Sequence, residues 1–335
     1  MSLLIPSPKI SVIISTYNSS KFIIGKLDDL INQSMFDQIE IIIIDSGSME
    51  NEGELVKPYL EKFQNINYVR TENRETIYTA WNRGIKLAKG KFITNSNTDD
   101  RLKTNAFEIL YNELSSKSKL GLVFGDQYIS TTINENFDDY KDNQVRSRTD
   151  FSRLKLFWRY MIGSQSMWKA DIHFKDNIWF DESFEIAGDY DFVLNIAEKY
   201  NIKRVPKVLG LYYRSGKNEN KEFINNQKTI DETFRTQRVH FSSYYLKLTK
   251  KQKIKLNFII EFYSRTPQFL YSFFLKVYSS LFHKKELPSK IFFVWLAAVI
   301  KNIEGNLSSA KSILDGSKNK SVYLIKKELE YYKIE

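Results

Sequence analysis

Residues 40–45 read EIIIID, with four consecutive isoleucines between two carboxylates. A strand that has one face in water alternates apolar and polar side chains, whereas a strand covered on both faces is apolar throughout. The run has the length of a strand and is rich in β-branched residues. It therefore predicts a central strand of a sheet that carries helices on both faces. KISVIIS (9–15) has the same character and predicts a second such strand.

Helix-length segments separate these strands from three others. The further strand-length runs are INYVR (66–70), KFITN (91–95) and LGLVFGD (120–126). The helix-length segment at 19–33 places four apolar residues on one face, namely Phe22, Leu27, Leu30 and Ile31. A second segment, 76–89, starts at Thr76, a suitable N-cap, and stops at Gly90. Strands and helices that alternate about every 25 residues predict a doubly wound, mostly parallel α/β sheet.

Polar clusters follow three of the predicted strands. They are STYN (15–18), DSGS (45–48) and SNTDD (96–100). In doubly wound sheets, ligands bind beyond the carboxyl ends of the strands. Each cluster alone fits a solvated loop, but three of them at strand ends predict a ligand site on one edge of the sheet.

The adjacent carboxylates of Asp99 and Asp100 bear on the nature of that ligand. Like charges side by side repel unless water, hydrogen-bond donors or a cation stabilise them. The pair fits either a solvated turn or a divalent metal that holds a phosphorylated ligand. Neither GxGxxG nor GxxxxGK[ST] follows the first strand, so a bound nucleotide would need another counter-charge for its phosphates. A cation at Asp99 would supply it.

Composition limits the metal and the compartment. The chain has no cysteine and three histidines, which argues against thiolate sites and histidine-rich zinc sites. A metal here should bind oxygen, so Mg²⁺ or Mn²⁺ is expected. The lack of cysteine fits a reducing compartment. No signal peptide is evident, and the longest apolar run, IFFVWLAAVI (291–300), is shorter than a membrane span. These features predict a cytoplasmic protein.

The net charge of +10 is concentrated at the C-terminus. Residues 240–335 contain 17 Lys or Arg and 7 Asp or Glu, which accounts for the whole excess. The asymmetry predicts two parts, a domain at 1–220 and a basic, aromatic-rich helical extension at 221–335. Basic amphipathic helices either pack on a core or bind an anionic membrane surface, which here would be the inner face of the membrane. Nucleic acid is not expected as a partner because no recognition motif is present. Nothing in the sequence indicates an oligomeric state.

A second acidic segment lies between the predicted sheet and the extension. In FDESFEIAGDYDFVLNIAEKY (180–200), Asp189 and Asp191 stand where helical periodicity begins. Acidic residues at a helix start interact favourably with the helix dipole, which is a sufficient structural reason for both. Gly188 would let a ligand approach the backbone closely. IKRVPKVLGLYYRSG (202–216) then predicts a strand that ends in a turn.

Through residue 216, the sequence resembles the family 2 glycosyltransferases of the bacterial polysaccharide type, which have the GT-A fold. Four segments carry the resemblance, in the order found in that family: ISVIISTYN (10–18), IEIIIIDSGSMEN (39–51), IYTAWNRGIKLAKGKFITNSNTDD (77–100) and FDESFEIAGDYDFVLNIA (180–197). Each motif alone is weakly specific, and the ordered set is strongly specific. The resemblance implies an inverting transferase with a nucleotide-sugar donor.

The resemblance also implies roles for individual residues. The nucleotide base would be held by Thr16, Tyr17 and Asp45. Asn97 and Asp99 occupy the outer positions of the family's DxD motif. Asp99 would bind a divalent metal, and Asn97 would face the ribose or a metal-bound phosphate. Asp189 would be the general base.

The motif departs from the family at Asn97, where aspartate is usual. One carboxylate fewer weakens a cation site, and Asp100 would compensate, so Asp99 and Asp100 are the expected metal ligands. Arg214 and Lys217, in YYRSGK, would either reach the diphosphate or be ordinary solvated cations of a surface turn.

The expected reaction is transfer of a hexosyl or N-acetylhexosaminyl group from a donor, with UDP as the expected nucleotide, to a hydroxyl of a glycan or lipid-linked acceptor. The leaving diphosphate needs its charge neutralised, and the acceptor hydroxyl needs a carboxylate to take its proton. Two alternatives stay open. A metal-dependent nucleotidyltransferase would want a glycine-rich basic signature near the first strand, which STYNSSK does not provide. A catalytically inactive module would only bind a nucleotide sugar or glycan.

Overall fold

The computed structural model describes residues 7–142, 145–146, 150–157, 159–215, 226–266, 270 and 290–305. The chain divides into two compact units. The first unit comprises Met1–Arg153 and Tyr160–Thr233, and the second comprises Leu154–Arg159 and Phe234–Glu335. The boundary predicted near residue 220 stays a prediction.

The described part of the first unit is organised around one sheet of nine strands. They are β1 Ile10–Thr16, β2 Ile39–Asp45, β3 Ile66–Arg70, β4 Phe92–Asn95, β5 Arg101–Leu102, β6 Leu120–Ser130, β7 Val145–Arg146, β8 Ser166–Lys169 and β9 Asn201–Tyr213. The order across the sheet is β3-β2-β1-β4-β8-β6-β9-β5, and β7 pairs with β6. Neighbours among β3, β2, β1 and β4 are parallel, as are β6 and β9, whereas β8 and β5 run antiparallel to their neighbours. The predicted doubly wound, mostly parallel sheet is confirmed.

The helices follow the predicted alternation and continue beyond the sheet. They are α1 Ser20–Ile31, α2 Glu52–Lys62, α3 Ile77–Leu87, α4 Ala106–Ser115, α5 Arg153–Leu156, α6 Asp171–Phe174, α7 Gly188–Lys199, α8 Asn226–Leu246, α9 Lys250–Arg265 and α10 Lys290–Ile303, with 3-10 turns at Phe36–Gln38 and Phe137–Asp139. The helices predicted at 19–33 and 76–89 correspond to α1 and α3. The hydroxyl of Thr76 caps α3 by accepting the N–H of Thr79 at 3.2 Å. The described residues beyond 225 are mostly helical, which confirms the predicted C-terminal helical extension.

The isoleucines of β2 pack on two different layers. Ile41 and Ile43 belong to a core cluster with residues of α1, α2 and α4. Ile44 faces α3, which lies close to the sheet at Gly84. A Cβ atom on Gly84 would stand 2.6 Å from Ile13 Cγ2 and 3.4 Å from Ile44 Cγ1. Because helices cover both faces, every position of β2 is buried, and the run does not alternate.

The strand register brings the three polar clusters to one edge of the sheet. Thr16, the last residue of β1, pairs with Asp45, the last residue of β2. Asn95, the last residue of β4, pairs with Ile13 of β1. Just beyond the strands, the N–H of Ser46 donates to the carbonyl of Thr16 at 3.0 Å. The clusters are therefore neighbours in space.

Two strands differ from the sequence-based expectations. β6 continues to Ser130, past the predicted end at residue 126, because its second half pairs with β9 and β7. β8 has no counterpart among the predicted strands, and it inserts antiparallel between β4 and β6. Four residues within GSQSMWK are too few to show a periodicity. The hydrogen bonds of its two neighbours make this segment a strand.

In the second unit, described helices pack through aromatic side chains. The rings of Tyr263 in α9 and Phe293 in α10 stack with their centroids 4.7 Å apart. Residues 293–300 of α10 are buried, and the Tyr245 hydroxyl donates to Glu304 Oε1 at 2.8 Å. The longest apolar run of the sequence is thus part of a packed helix. Within the described ranges, no helix combines the length and the apolar character needed to cross a bilayer.

Candidate functional site

Asp45 is held at the end of β2 by three hydrogen-bond donors. Its side chain is fully buried. Oδ1 accepts the N–H of Ser48 at 2.8 Å, and Oδ2 accepts the Arg70 guanidinium at 2.9 Å and the Tyr68 hydroxyl. Burial first, and then the bond to Asp45, raise the pKa of Tyr68, so its hydroxyl stays a donor. The Arg70 side chain is 48% exposed, which makes it the partner best able to move aside for a ligand.

The loop after β1 is braced by the first turn of α2. Ser48 Oγ accepts the N–H of Asn18 at 3.0 Å and donates to Glu52 Oε1 at 2.8 Å. The same oxygen of Glu52 accepts the N–H of Ser19 at 2.7 Å. Glu52 is buried and fixes the STYN and DSGS loops relative to each other. Sequence reasoning missed this residue, although an acid in the first turn of a predicted helix is a signal that could have drawn attention to it.

Several polar atoms at the strand ends are buried without a partner. Thr16 Oγ1, Ser46 Oγ and Asn95 Oδ1 make no hydrogen bond to any described residue. Leaving such an atom unpaired costs about 1–3 kcal/mol, so a ligand or ordered water is expected there. Beyond Thr16, Arg74 lies over the ring of Tyr17, with its Cζ 4.2 Å from the ring centroid. Arg74 thus lies against a predicted site residue, a contact that no sequence motif indicated.

The two carboxylates of the DxD-like loop, residues 97–100, have different surroundings. Asp99 is partly exposed, whereas Asp100 is buried. Asp100 Oδ1 accepts the N–H of Tyr213 at 3.0 Å, and Oδ2 accepts the side-chain amide of Asn97 at 3.4 Å. Burial, and next the charge of Asp99, raise the pKa of Asp100 to about 7. A cation beside the pair would favour their ionised forms.

Two buried cations lie next to this loop. Arg101 is 2% exposed and donates through Nη1 to the carbonyls of Thr98 at 2.9 Å and Asp100 at 2.7 Å. Lys26 is fully buried and donates to Asp29 Oδ2 at 3.1 Å. Burial lowers the pKa of Lys26, and its positive charge acts to lower the pKa of Asp100. Arg101 therefore fixes the loop backbone, and Lys26 offsets part of its negative charge.

The donor set fits a divalent metal that shares its coordination with a substrate. Asp99 and Asp100 supply carboxylate oxygens. In the part of the chain that the structure describes, no group of three or more His, Cys, Asp or Glu could hold a metal. Mg²⁺ is commonly bound by one or two carboxylates together with water and substrate phosphates. The residues present fit that kind of site and not a cage made by protein alone.

A cavity of about 240 Å³ lies beside this loop in the first unit. Asn97 and Asp189, two of the predicted site residues, both line it. Its walls carry aromatic rings, among them Trp81, Tyr160, Phe180, Tyr190 and Tyr212. Apolar walls with a few polar groups are typical of small-molecule sites.

Asp189 is the second residue of α7 and is partly exposed. Its Oδ1 accepts the N–H of Tyr190 at 2.8 Å. Ala187 is the N-cap residue, so Asp189 does not occupy the capping position. The expectation that Gly188 makes room for a ligand is wrong, because a Cβ there would stand 2.7 Å from the ring of Tyr78. Burial, and next the charge of Asp189, hold the pKa of Tyr78 well above its usual range.

Helix α3 holds the segment that leads to Asp189. Asn82 Nδ2 donates to the carbonyl of Phe180 and to Glu182 Oε1, both at 2.9 Å. Asn82 Oδ1 accepts the N–H of Phe180 at 3.2 Å. The asparagine and the glycine of NRG (82–84) thus have different structural roles. Asn82 fixes this segment, and Gly84 lets α3 pack closely on the sheet.

Arg214 lies just past the end of β9. Arg214 is exposed, and its backbone N–H donates to the backbone carbonyl of Ser130 at 2.8 Å. The preceding residue, Tyr213, donates its backbone N–H to Asp100. Arg214 is therefore the next residue along the chain after one that contacts the DxD-like loop. A contact with a diphosphate stays a prediction. Lys217 lies outside the described residues.

Comparison with known sequences identifies the family that this site resembles. The sequence profile of glycosyl transferase family 2 matches residues 11–173. This stretch, just under half of the chain, belongs to that family. The matched part of the chain runs from β1 through the DxD-like loop to α6, and the resemblance found from the ordered motifs is confirmed. Asp189 lies beyond the matched residues, so its role depends on the geometry of the cavity.

Two relatives show how far the likeness extends. The chain is 32% identical over 138 residues to the glycosyltransferase GlyG of Streptococcus pneumoniae serotype 4, a match to 41% of this chain and 45% of GlyG. It is 25% identical over 229 residues to the chondroitin synthase of Escherichia coli, a match to 66% of this chain and 31% of that protein. The chain thus spans less than half the length of these relatives.

A solved structure shows the fold. S. aureus TarS 1-349 in complex with UDP-GlcNAc superposes on this chain with a TM-score of 0.60, at 18% identity, covering 97% of this chain and 91% of TarS 1-349. At this level of identity the likeness concerns the fold. The predicted GT-A fold is confirmed.

Proposed function

We propose that this chain is an inverting, metal-dependent glycosyltransferase that moves a hexosyl or N-acetylhexosaminyl group from a nucleotide sugar to an acceptor hydroxyl. One observation carries the proposal: Asn97 of the DxD-like loop and Asp189 line the same cavity. A single displacement at the anomeric carbon needs the leaving group and the base on opposite sides of the sugar. In this protein, a candidate for contact with the leaving group (Asn97) and a candidate for the base (Asp189) line the same cavity.

The polar strand ends support the donor side of the proposal. Thr16, Tyr17 and Asp45 would hold the nucleotide base, and the buried hydroxyl oxygens of Thr16 and Ser46 have hydrogen-bonding capacity that no described residue uses. TarS was solved with UDP-GlcNAc, and we propose a UDP-sugar for this chain as well. Arg214 would approach the diphosphate.

The DxD-like loop would hold the diphosphate end of the donor. Asp99 and Asp100 would bind Mn²⁺ or Mg²⁺ together with the donor's phosphates, and Asn97 would face the ribose or a metal-bound phosphate. A bound divalent ion neutralises the charge that develops on the nucleoside diphosphate as it leaves. Arg101 would keep the loop in place through its bonds to the carbonyls of Thr98 and Asp100.

Asp189 would accept the proton of the acceptor hydroxyl. As the hydroxyl oxygen forms its bond to the anomeric carbon, the bond from that carbon to the diphosphate oxygen breaks. The nucleoside diphosphate leaves with the electron pair, and the proton passes to the carboxylate of Asp189. A positioned general base contributes about 10²–10⁴-fold to such a step. One displacement inverts the anomeric centre.

The walls of the cavity support a glycan or a lipid-linked glycan as the acceptor. Sugar rings have apolar C–H faces that pack on aromatic rings, and the rings of Trp81, Tyr160 and Tyr190 line the cavity. Sugar hydroxyls need hydrogen-bonding partners, and Ser164 lines the same space.

Titration calorimetry with UDP, followed by a donor-turnover assay, tests the proposal against its alternatives. A glycosyltransferase of this kind binds UDP more tightly with Mn²⁺ and releases UDP from a UDP-sugar. An inactive module binds the UDP-sugar and releases nothing. A nucleotidyltransferase joins a nucleoside triphosphate to a sugar phosphate and releases pyrophosphate from the triphosphate. It leaves UDP-sugars intact. Either of the last two results overturns the proposal.

Asp45→Asn is expected to raise the donor KM by about 10- to 100-fold, the range for losing a hydrogen bond to a charged group. The change in kcat should be smaller, because the contact between Asp45 and the nucleotide base is present in both the ground state and the transition state. Steady-state kinetics over a range of donor concentrations, with donor binding measured by titration, checks this expectation.

Tyr68→Phe is the matched control for Asp45→Asn. It removes one partner of Asp45 and leaves the carboxylate in place, so the donor KM should be retained. An unchanged KM with a collapsed kcat in Asp45→Asn would assign this residue to the chemistry. Lower thermal stability with unchanged kinetics would limit it to a structural role.

We also propose that helix α9 binds an anionic membrane surface, which would make the protein peripheral on the inner face of the membrane. Ile254, Phe258 and Phe262 are 62%, 71% and 49% exposed, and their four-residue spacing forms one apolar stripe. At about 100° per residue, Lys253 and Lys255 lie on either side of Ile254. Such a helix suits the headgroup region of a bilayer, where each lysine near an anionic surface contributes about 1 kcal/mol.

Charge reversal tests the membrane proposal. The variant replaces four residues of α9 by glutamate, namely Lys250, Lys251, Lys253 and Lys255. We expect it to sediment less with vesicles of anionic lipid at low salt than the wild type does, because the attraction between the helix and the surface is reversed.

A second reversal with the same change in net charge serves as the control. It replaces four exposed lysines of the first unit, namely Lys57, Lys89, Lys119 and Lys207, and should retain most of the binding. Equal losses in both variants would show a non-specific charge effect. Failure of the wild type to bind the vesicles would remove the proposal.

A further inference from the structure

A three-residue turn directly precedes the helix that carries Asp189. The turn consists of Glu185, Ile186 and Ala187, and its backbone N–H groups converge on one carboxylate, that of Glu232 in α8. The N–H of Glu185 donates to Oε1 at 3.0 Å, and those of Ile186 and Ala187 donate to Oε2 at 2.8 and 2.9 Å. Successive N–H groups that point to one place form an anion-binding concavity. Here a side chain of the same chain fills it.

The carboxylate of Glu232 holds the segment that leads into α7, including the N–H of its N-cap residue Ala187. Glu232 is 7% exposed. The N-cap residue of α7 is Ala187, which makes no side-chain capping bond. Without Glu232, the N–H groups of the turn would lose acceptors that carry a full negative charge. The start of α7 therefore depends on a residue 45 positions away along the chain.

The opposite side of the same turn is held by α3. The Tyr78 hydroxyl donates to the carbonyl of Ile186 at 2.6 Å, and the Tyr78 ring packs against Gly188. Tyr78 of α3 thus holds the turn through the carbonyl of Ile186, and Glu232 of α8 holds it through the N–H groups. Asp189 follows this turn directly, so the place of its carboxylate depends on both contacts.

Helix α8 also contributes to the cavity itself. Thr229 and Thr233, which flank Glu232 on α8, both line the cavity that contains Asp189. Thr229 and Thr233 of α8 are therefore part of the candidate site. A shift of Glu232 would move a wall of the cavity as well as the turn before α7.

We propose that Glu232 is a positioning residue for the transfer reaction, which sets the carboxylate of Asp189 against the acceptor hydroxyl. The inference rests on the proposed role of Asp189 as the base. A misplacement of about 1 Å costs about 10²-fold in rate. Loss of the contacts of Glu232 should therefore lower kcat and leave donor binding intact, because the proposed donor contacts come from the ends of β1, β2, β4 and β9.

Glu232→Gln tests the proposal. Glutamine has nearly the same size, but it carries no charge and faces part of the turn with an amide donor. We expect kcat to fall by about 10- to 100-fold, donor Kd to stay unchanged in a titration, and the amides of residues 185–187 to exchange hydrogen faster. Asp231→Asn is the matched control on the same helix. Asp231 Oδ1 accepts the Gln227 amide at 3.1 Å, and the variant should behave like the wild type in all three measurements.

A double variant separates positioning from a general loss of structure. In an Asp189→Asn background, Glu232→Gln should lower turnover little further, because a positioning effect acts through the missing base. A full further loss in that background, or a loss of donor affinity in the single variant, would overturn the proposal. Wild-type kcat in Glu232→Gln would overturn it as well.

Two further results keep this test interpretable. Full turnover of Asp189→Asn alone would show that the proposed base has failed, which removes the basis of the inference before Glu232 is changed. If circular dichroism shows that Glu232→Gln is not folded, Glu232→Asp is measured instead by the same criteria. That variant keeps the charge and shortens the side chain by one methylene.

Discussion

Replacing Asp189 by asparagine should lower kcat by about 10²–10⁴-fold with donor affinity retained. Asparagine keeps an oxygen that can accept the N–H of Tyr190, as Oδ1 of Asp189 does at 2.8 Å, and it has nearly the same volume. It cannot take a proton from the acceptor. Donor affinity should be measured by titration, because KM equals Kd only when chemistry is slow relative to donor dissociation.

Asp191→Asn is the control that the chain itself offers for this prediction. Asp191 lies two residues further along α7, about 200° around the helix, and its Oδ2 accepts the Asn195 amide at 3.0 Å. Turnover should stay at the wild-type level in this variant. If Asp191→Asn loses turnover while Asp189→Asn keeps it, the motif is aligned two residues out of place.

Asp99→Ala should abolish turnover and the metal-dependent part of UDP binding. Asp99 is the partly exposed carboxylate of the DxD-like loop, whereas Asp100 is buried and bonded to Tyr213 and Asn97. Asp99 is therefore the better placed of the two to share a metal with a substrate. The melting temperature without metal should change little. Calorimetry with UDP, with and without Mn²⁺, measures the binding effect.

Asp142→Ala is a suitable control for Asp99→Ala. Asp142 is an exposed aspartate of the first unit, and its removal changes the net charge by the same amount. It should keep wild-type turnover and UDP binding. Full activity of Asp99→Ala, or activity of the wild type in excess EDTA, would contradict the metal proposal.

The parallel part of the sheet could be predicted because its strands are buried on both faces. EIIIID is buried at every position, and KISVIIS is buried from Ile10 to Ile14. β8 could not be predicted, since Ser166–Lys169 becomes a strand through hydrogen bonds to β4 and β6. β9 contains Pro206, yet it was predictable as a strand. Its register with β6 shifts between Arg204 and Val208, where a residue without an N–H is tolerated.

The candidate site could be predicted where the topology alone decides it. Doubly wound sheets bring the carboxyl ends of their strands to one edge, so the clusters around Thr16 and Asp45 become neighbours. The partners of those residues could not be read from the sequence. The donors to Asp45 Oδ2 come from the neighbouring strand β3, from Tyr68 and Arg70, and their types form no motif with it.

The contacts of Glu232 are the least predictable part of the site. A carboxylate that binds backbone N–H groups leaves no pattern of residue types, because every residue except proline has an N–H. Asn82 is intermediate. The ordered motifs pointed to its helix, but only the structure shows that its amide fixes the segment at Phe180.

The most direct test of the account is a screen of UDP-sugars for released UDP, run with the wild type and Asp189→Asn side by side in Mn²⁺. Donor binding to both proteins should be measured by titration. The wild type should release UDP from at least one UDP-sugar. Asp189→Asn should bind the same donor equally well and release UDP about 10²-fold more slowly or worse. Equal release by the two proteins, or no binding of any UDP-sugar by the wild type, would contradict it.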